Sequence, residues 1–413
     1  MCSAENTITL QRCVKALIRH DTRWSAAALA VVVLIVGALL PSTGWAQQEV
    51  GWTVTPSMAV AEVFDDNIFS RGEGRGRKSD FITRVTPGLQ AGYYSIPFTL
   101  FAKYDFDAEV YARHTELNDA QLRRRATAQA RYLPIRPLTL SLSGAYTRTE
   151  TPQDLNLTTG IESARRRARS YNASPSFSYE VDPLTSVNGL YSFTNDKRAG
   201  GTQTDTHNAS IDLKRQFGRQ DTWGVGYTYR HYKFNDQEPS PVSDEGSTTT
   251  SHVGSLIWSH EFTPLTSVTL HGGARFSEGS TNPEVSATIQ HRLQKGRLSF
   301  TYARSQTTAI GQGGTIDTES FSASASYQPI RFLSFSVTPS YYRNDRQNDQ
   351  SDVYSFGLNA TYQMTRWLNL VGSYRFSFQD GTLDDTTGGS TSRDILRNVG
   401  FLQLVVSYPY RVD

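Results

Sequence analysis

The sequence predicts an all-β protein: a closed antiparallel transmembrane β-barrel of about 18 strands, with 16 as the alternative count. Three observations support this fold class. Apolar and polar side chains alternate from about residue 53 onwards, the second face of each segment is strongly polar, and the breaks between segments alternate between short and long. Successive side chains of a strand point to opposite faces, so the alternation indicates one apolar and one polar face per strand.

Composition argues against a dry core between the predicted strands. Only 38% of the 413 residues are hydrophobic, although Tyr (21) and Phe (20) are abundant, and the mean hydropathy is −0.45. The second face consists mostly of Ser, Thr, Gly, Asn, Gln and Arg, as in Ser141 and Ser143 beside Leu140 and Leu142. A barrel with lipid outside and water inside fits this composition, because closure pairs every backbone group and leaves no edge.

The N-terminal segment has the features of a secretory signal. Four basic residues precede an apolar run at 26–40, and small residues stand at Gly44 and Ala46. We expect a signal peptide at 1–46 and a barrel at 47–413, with a retained membrane anchor as the alternative. Both cysteines, Cys2 and Cys13, precede the cleavage point, so no disulfide framework is expected.

Eighteen strands are predicted in order, each supported by period-2 alternation and bounded by Gly, Pro, Asn, Asp or Ser. They lie near 53–65, 80–94, 97–113, 121–133, 138–149, 167–181, 184–196, 203–216, 222–235, 248–262, 265–277, 283–293, 297–308, 318–328, 332–343, 352–364, 367–379 and 396–408.

The connections predict an orientation. Even-numbered connections are tight turns such as Asp182-Pro183 and Thr263-Pro264, whereas most odd-numbered ones are longer, such as 66–79, 150–166 and 380–395. Outer-membrane barrels have short periplasmic turns and long external loops. We therefore expect a Gram-negative outer-membrane protein with both termini in the periplasm.

Most mid-strand charges fall on the polar face and are candidates to line the lumen. Charge on the lipid face would cost about 2–4 kcal/mol per residue at the midplane. The sequence favours a water-filled pore with a weak preference for anions, and a salt-bridge network that fills a closed lumen is the alternative. The candidate pore-lining residues are Arg84, Lys103, Asp105, Asp107, Glu109, Arg131, Glu180, Asp212, Lys214, Arg230, Arg275, Arg292 and Arg375.

Two arginine clusters lie where strands leave the external side. They are Arg123, Arg124 and Arg125, and Arg165, Arg166 and Arg167 with Arg169. Such an external basic rim could hold lipopolysaccharide phosphates or an acidic polysaccharide. A solvated rim without a specific partner is the alternative.

No catalytic, metal or cofactor site is expected. The run Asp65-Asp66-Asn67 is interpreted as a turn cap, because a calcium loop spaces its ligands and adds a bidentate carboxylate. The seven histidines after the signal are scattered and form no His-Glu-x-x-His pattern. Removing the signal leaves 37 basic and 37 acidic residues, so no nucleic-acid partner is indicated.

Short motifs in 53–110 carry a family resemblance. Thr55-Pro56-Ser57, Val63-Phe64-Asp65-Asp66-Asn67-Ile68-Phe69 and Val85-Thr86-Pro87-Gly88-Leu89 resemble the start of the outer-membrane beta-barrel porin type 2 family and of outer-membrane barrels associated with the PEP-CTERM (exosortase) system. The resemblance implies an outer-membrane barrel with a transport role, sometimes tied to exopolysaccharide production or export. It brings no catalytic residues.

The sequence thus predicts a passive channel for polar solutes or saccharides, with a link to exopolysaccharide export. A non-conducting structural or polysaccharide-binding barrel is the alternative, and an enzyme is not expected. The expected partners are outer-membrane lipid and lipopolysaccharide, the barrel assembly machinery, for which Tyr408 or Tyr410 is the expected terminal signal, and an exopolysaccharide.

Overall fold

The computed structural model describes residues 50–72, 76–235, 247–346, 349–381 and 394–412. The predicted signal peptide at 1–46 lies outside the described residues. Within the described part of the chain, no helix is long and apolar enough to cross a membrane.

Nineteen strands form one sheet in which each strand pairs antiparallel with its neighbour in the sequence. β1 pairs with both β2 and β18, so the sheet closes on itself and the predicted barrel is confirmed. The strands are β1 (Gly51–Asp65), β2 (Asp80–Tyr94), β3 (Phe98–Tyr111), β4 (Asp119–Ile135), β5 (Leu138–Thr149), β6 (Ala168–Asp182), β7 (Thr185–Arg198), β8 (Gln203–Phe217), β9 (Asp221–Asn235), β10 (Thr248–Thr263), β11 (Thr266–Ser277), β12 (Ser280–Leu293), β13 (Gly296–Thr307), β14 (Ile316–Ile330), β15 (Leu333–Arg346), β16 (Asp349–Gln363), β17 (Leu368–Gly381), β18 (Ile395–Ser407) and β19 (Tyr410–Val412).

Eighteen of these strands are long, and β19 is a three-residue continuation of β18. The sequence predicted that the last strand ends near 408. Instead Tyr410–Val412 resumes pairing with β1 opposite 52–54. Pro409 separates the two segments, because proline has no N–H to donate to the ladder. The count of eighteen barrel strands is therefore confirmed.

The two ends of the barrel differ in their connections. Two-residue turns such as 183–184 and 264–265 gather at one end, which we call the short-turn end. The connections 66–79, 112–118 and 150–167 gather at the other, which we call the long-loop end. Two short 3-10 helices, Thr115–Leu117 and Pro152–Asp154, lie in these loops.

The faces of the strands segregate as the alternation predicted. Large apolar side chains on the outer face are exposed, among them Leu256 (63%), Leu402 (58%) and Phe300 (55%). Trp223 and Trp258 stack on the same face near the short-turn end, with ring centroids 6.0 Å apart. An apolar band with aromatic rings at its edge is the exterior of a membrane barrel.

Candidate functional site: a loop inside the barrel

The loop between β5 and β6, residues 150–167, folds into the barrel. We call it the lumen loop. β5 and β17 are six strands apart around the closed sheet, yet Glu162 of this loop contacts β17 directly. Its backbone N–H donates to Oε1 of Gln379 at 2.8 Å, and Oγ of Ser377 donates to its carboxylate at 2.6 Å. The loop can reach these buried side chains only by crossing the lumen.

The tip of the lumen loop meets strands on the far side of the barrel. Gly160 has a φ of +65°, and a Cβ at this position would lie 2.6 Å from Cδ2 of Tyr342. Only glycine suits both the backbone conformation and the contact. Nδ2 of Asn344 donates to the carbonyl of Thr159 at 2.9 Å, and the hydroxyls of Thr158 and Thr307 are 3.1 Å apart.

Asn156 joins the lumen loop to the loop between β13 and β14. Its Oδ1 accepts the backbone N–H of Ile310 at 2.9 Å, and its Nδ2 donates to the carbonyl of Ile161 at 3.1 Å. Asn156 is only 3% exposed. Beside it, Ile161, Ala309 and Ile316 form a buried apolar cluster. Hydrogen bonds and apolar packing therefore hold the two loops together.

Two further loops contact these at the long-loop end. Oγ of Ser70, in the β1–β2 loop, donates to Oε1 of Gln153 at 3.1 Å. The backbone N–H of Thr202, in the β7–β8 turn, donates to the carbonyl of Gly311 at 3.1 Å. Four connections thus meet across the long-loop end and narrow the opening there.

All thirteen predicted pore-lining residues lie on the inward face of their strands. Residues that are opposed across an antiparallel sheet lie on the same face. Ser377 and Gln379 face the lumen, because the lumen loop contacts them. The pairing registers, followed from strand to strand, place each candidate on the same face as these two residues. The structure then divides the candidates into paired and unpaired charges.

The largest group of paired charges spans β2, β3 and β4. Nε of Arg84 lies 2.7 Å from Oε1 of Glu109, and Nη2 of Arg125 lies 2.8 Å from Oδ1 of Asp107 and 2.5 Å from Oδ1 of Asp105. Nζ of Lys103 is 3.4 Å from Asp105. Alternating charges on adjacent strands neutralise one another, so this part of the wall is a salt-bridge network.

A second network lies on β9, β11 and β12. Nη1 of Arg230 is 2.6 Å from Oε1 of Glu284, and Nη1 of Arg275 is 3.5 Å from the same oxygen. Arg275 also pairs with Asp317 at 2.7 Å. Between the two networks, Lys214 and Asp212 of β8 are 3.8 Å apart.

Four predicted lining residues have no ion pair within 4 Å among the described residues. Arg131, Glu180 and Arg292 lie near the short-turn end of β4, β6 and β12. Arg375 lies in the middle of β17, beside the lumen loop. Within the described part of the chain, Arg375 is therefore the predicted lining charge beside the lumen loop that lacks an ion pair within 4 Å.

The predicted external basic rim is wrong for three of its seven residues. Arg123 and Arg125 face inward, because their register partners are Asp107 and Asp105. Arg123 contacts Oγ1 of Thr151 at 3.0 Å and Asp154 at 3.7 Å, so it holds the lumen loop. The prediction assigned these arginines to an exposed rim. In the structure β4 runs through them, so their side chains point alternately into and out of the barrel.

Arg165 is the third residue that the prediction misplaced. Its Nη1 donates to the hydroxyl of Tyr111 at 2.8 Å, and its Nη2 lies 3.1 Å from Glu150. The remaining rim residues stay near the surface: Arg166, Arg167 and Arg169 are exposed, and Arg124 faces outward opposite Phe106.

The sequence interpretation missed four residues that hold the lumen loop or the wall beside it. Arg397 pairs with Asp65 at 2.6 Å and lies 3.8 Å from Glu162. Arg397 and Glu284 lie in predicted strands with inward parity, so alternation could have found them. Glu162 and Asp154 gave no such signal, because only the path of the loop brings them to the wall. Asp65 also accepts the N–H of Asn67 at 2.9 Å, as expected for a turn cap.

Two acidic groups of the lumen loop have opposite pKa shifts. Burial raises the pKa of Glu162 above its ordinary value, against the attraction of Arg397. Burial also opposes ionisation of Asp154, but the Arg123 guanidinium, the Thr151 hydroxyl and the charges of Arg397 and Arg375 together outweigh it and lower the pKa of Asp154 below the ordinary value. Glu162 therefore loses its charge before Asp154 as the pH falls.

Among the described residues, the lumen holds two polar cavities. One of about 370 Å³ lies between the loop and β13–β17, and its lining includes Ser322, Ser340, Ser355, Asn359 and Arg375. The other, of about 320 Å³, lies against β1–β4 and β18 and includes Arg84, Lys103 and Gln403. Hydroxyl, amide and charged groups in the lining favour water and polar solutes over apolar ligands.

Among the described residues, no group of three or more His, Cys, Asp or Glu could hold a metal ion. His260 points outward near the short-turn end, where its Nδ1 lies 2.8 Å from Asp221. The fold and the lumen define a membrane β-barrel with an internal loop.

Comparisons with known proteins give similar structures and no family. No protein-family profile matches the sequence, and no curated protein matches it either. The fold is similar to OccAB4 of Acinetobacter baumannii (10% identity, 88% of this chain and 99% of that chain, TM-score 0.46). It is also similar to the siderophore receptor PirA of Pseudomonas aeruginosa (9%, 88% and 81%, 0.45) and to the FrpB iron transporter of Neisseria meningitidis (10%, 87% and 82%, 0.46). Function therefore has to be argued from the lumen itself.

Proposed function

We propose that this protein is an outer-membrane channel for the passive diffusion of small polar solutes or saccharides, with the long-loop end outside the cell and both termini in the periplasm. The observation that carries the proposal is a lumen that holds two polar cavities, one beside the lumen loop and one against β1–β4 and β18. A barrel that only filled its own interior would pack side chains where these cavities lie. An eighteen-stranded sheet encloses more space than its side chains fill.

The fixed charges favour anions over cations in the larger cavity. Arg375 lines this cavity without an ion pair within 4 Å among the described residues. The acidic groups of the loop, in contrast, are engaged: Glu162 contacts Ser377 and Arg397, and Asp154 contacts Arg123. Glu162 and Asp154 interact with Arg375 only from beyond 4 Å, so a permeating anion meets a positive charge that is not in contact with a carboxylate.

Single-channel recording tests this proposal. In water, two unit charges about 4 Å apart interact by about 1 kcal/mol, which is a factor of about 5 in a permeability ratio and less when salt screens it. We expect Arg375→Gln to lower the anion-to-cation permeability ratio about 2- to 5-fold at 0.1 M salt. The matched control is Arg304→Gln, which removes an outward-facing arginine on β13. The absence of stepwise currents in every salt would contradict the proposal of a channel.

A more specific proposal is a link to exopolysaccharide export, which requires that the lumen loop can move. Because the lumen loop crosses the lumen, the passage of a saccharide polymer would require this loop to leave the wall. Conductance that rises sharply when the loop is detached, together with blockage by an anionic oligosaccharide, would support export. A second candidate, a non-conducting structural barrel, is favoured by the contact of four loops at the long-loop end.

A further inference from the structure

Four basic residues form a row on the outward face near the long-loop end of β4 to β7. Arg124 pairs in register with Arg148, Arg148 with Arg169, and Arg169 with Lys197. Residues opposed in this way share a face and are neighbours. With strands about 4.8 Å apart, the row spans about 14 Å. We call it the basic row.

The basic row has no compensating charge from the protein. None of its four members has an acidic partner within 4 Å among the described residues. Nε of Arg124 has no hydrogen-bond partner, and its Nη2 donates only to Gln121. The guanidinium of Arg169 lies over the ring of Tyr171, 5.6 Å from its centroid. Like charges that face each other across strands destabilise a sheet unless an anion separates them.

A second row of charged residues, on other strands of the barrel, contains acidic residues that balance its arginines. On the outward face of β13 to β16, Arg304 pairs with Glu319, Glu319 with Arg343, and Arg343 with Asp352. The signs alternate, so that row neutralises itself. The absence of acids from the basic row is therefore specific to β4–β7 and not a general property of the outer ends of the strands.

The position of the basic row defines the anion that it suits. Two residues further into the barrel wall, the outward face presents Ala126, Tyr146 and Tyr171, and the two tyrosine rings are 4.8 Å apart. Below them lie Leu142 and Pro175. Tyrosine rings above an apolar surface mark the depth of lipid headgroups, so the basic row stands at the level where headgroup phosphates lie.

We propose that the basic row binds a lipid that carries two or more phosphate groups, such as the phosphorylated glycolipid of the outer leaflet, with its acyl chains against the apolar surface below. Arginine forks bind phosphate oxygens in a bidentate manner, and a row of four cations can hold two phosphates at once. The proposal rests on the outer-membrane location given above. It does not depend on conduction, because the row lies outside the barrel wall.

Native mass spectrometry of the full barrel in detergent tests the proposal. The probe is diphosphorylated lipid A, compared with enzymatically dephosphorylated lipid A and with inorganic phosphate. We expect Arg148→Gln with Arg169→Gln to weaken binding of the diphosphorylated lipid at least about tenfold, because each charge-assisted hydrogen bond is strong. The matched control is Arg304→Gln with Arg343→Gln in the self-neutralising row, for which we expect wild-type affinity.

Three outcomes would overturn the proposal: equal affinity of the row variant and wild type, equal binding of the dephosphorylated lipid, or displacement of the lipid by millimolar inorganic phosphate. Heat-dependent gel mobility confirms that each variant is folded. Single-channel conductance of the row variant separates this proposal from the proposed function, since lost lipid binding with unchanged current leaves the channel intact. Absent current with retained lipid binding would refute the channel alone.

Discussion

Replacement of Asn156 by alanine should release the lumen loop from the far wall while the barrel stays folded. The side chain makes two buried hydrogen bonds, to the N–H of Ile310 and to the carbonyl of Ile161. Alanine leaves one donor and one acceptor unsatisfied, at about 1–3 kcal/mol each. The closed loop should therefore lose about 2–6 kcal/mol relative to a detached loop, whose backbone groups are hydrated.

Hydrogen exchange measures this loss directly. The amide of Glu162 donates to Gln379 on β17 and is hydrogen-bonded there only while the loop is seated, so a loss of 2 kcal/mol should speed its exchange about 30-fold. Amides within the strands should exchange as in the wild type. We also expect a larger single-channel conductance, since the loop no longer narrows the lumen.

The matched control is Asn188→Ala. Asn188 also faces inward and accepts a hydrogen bond from Ser178 at 2.8 Å, but it lies on β7 and does not contact the lumen loop. Unchanged exchange of the Glu162 amide in Asn156→Ala, or an equal change in both variants, would refute the role of Asn156 as an anchor.

Two further predictions concern the lumen loop. The hydroxyls of Thr158 and Thr307 are 3.1 Å apart, so we expect the double variant Thr158→Cys with Thr307→Cys to form a disulfide that shifts its mobility on a non-reducing gel. The control pair, Thr158→Cys with Thr301→Cys, should not form one. Equal disulfide yields in the two pairs would contradict the seated loop. Because the pKa of Glu162 is raised and that of Asp154 is lowered, acidification from pH 7 should neutralise Glu162 before Asp154 and increase the anion preference. Reversal potentials should lack this step in Glu162→Gln, and a wild-type profile in that variant would show that another group titrates.

The state of the four connections at the long-loop end decides how the proposed channel would open. Their contacts are a mixture of hydrogen bonds and one small apolar cluster, Ile161 with Ala309 and Ile316. Contacts of this kind break locally at lower free energy than a strand pair in the barrel. We therefore expect openings at this end to leave the barrel intact.

The order of charges along each strand was predictable, but their partners were not. Alternation put Arg84, Asp107 and Glu109 on the inward face, because a strand reverses direction at every residue. That Arg84 pairs with Glu109 at 2.7 Å follows from the register between β2 and β3, which the sequence alone does not specify.

Arg123, Arg124 and Arg125 illustrate the same division within three consecutive residues. Their position near the end of a strand predicted a rim, but the strand runs through them, so Arg123 and Arg125 turn inward and Arg124 turns outward. The basic row was hidden for a related reason: its members are separated by 21 to 28 residues in the chain and meet only through strand pairing.

The sequence by itself determined the closed barrel, its strand count, the polar lumen face and the alternation of short and long connections, because these depend on the period of side-chain direction and on local turn chemistry. Only the tertiary structure decided that residues 150–167 turn into the lumen. A loop has no periodic signal, and the path of this one depends on distant surfaces such as the Gln379 amide, which holds Glu162 from 217 residues away in the chain.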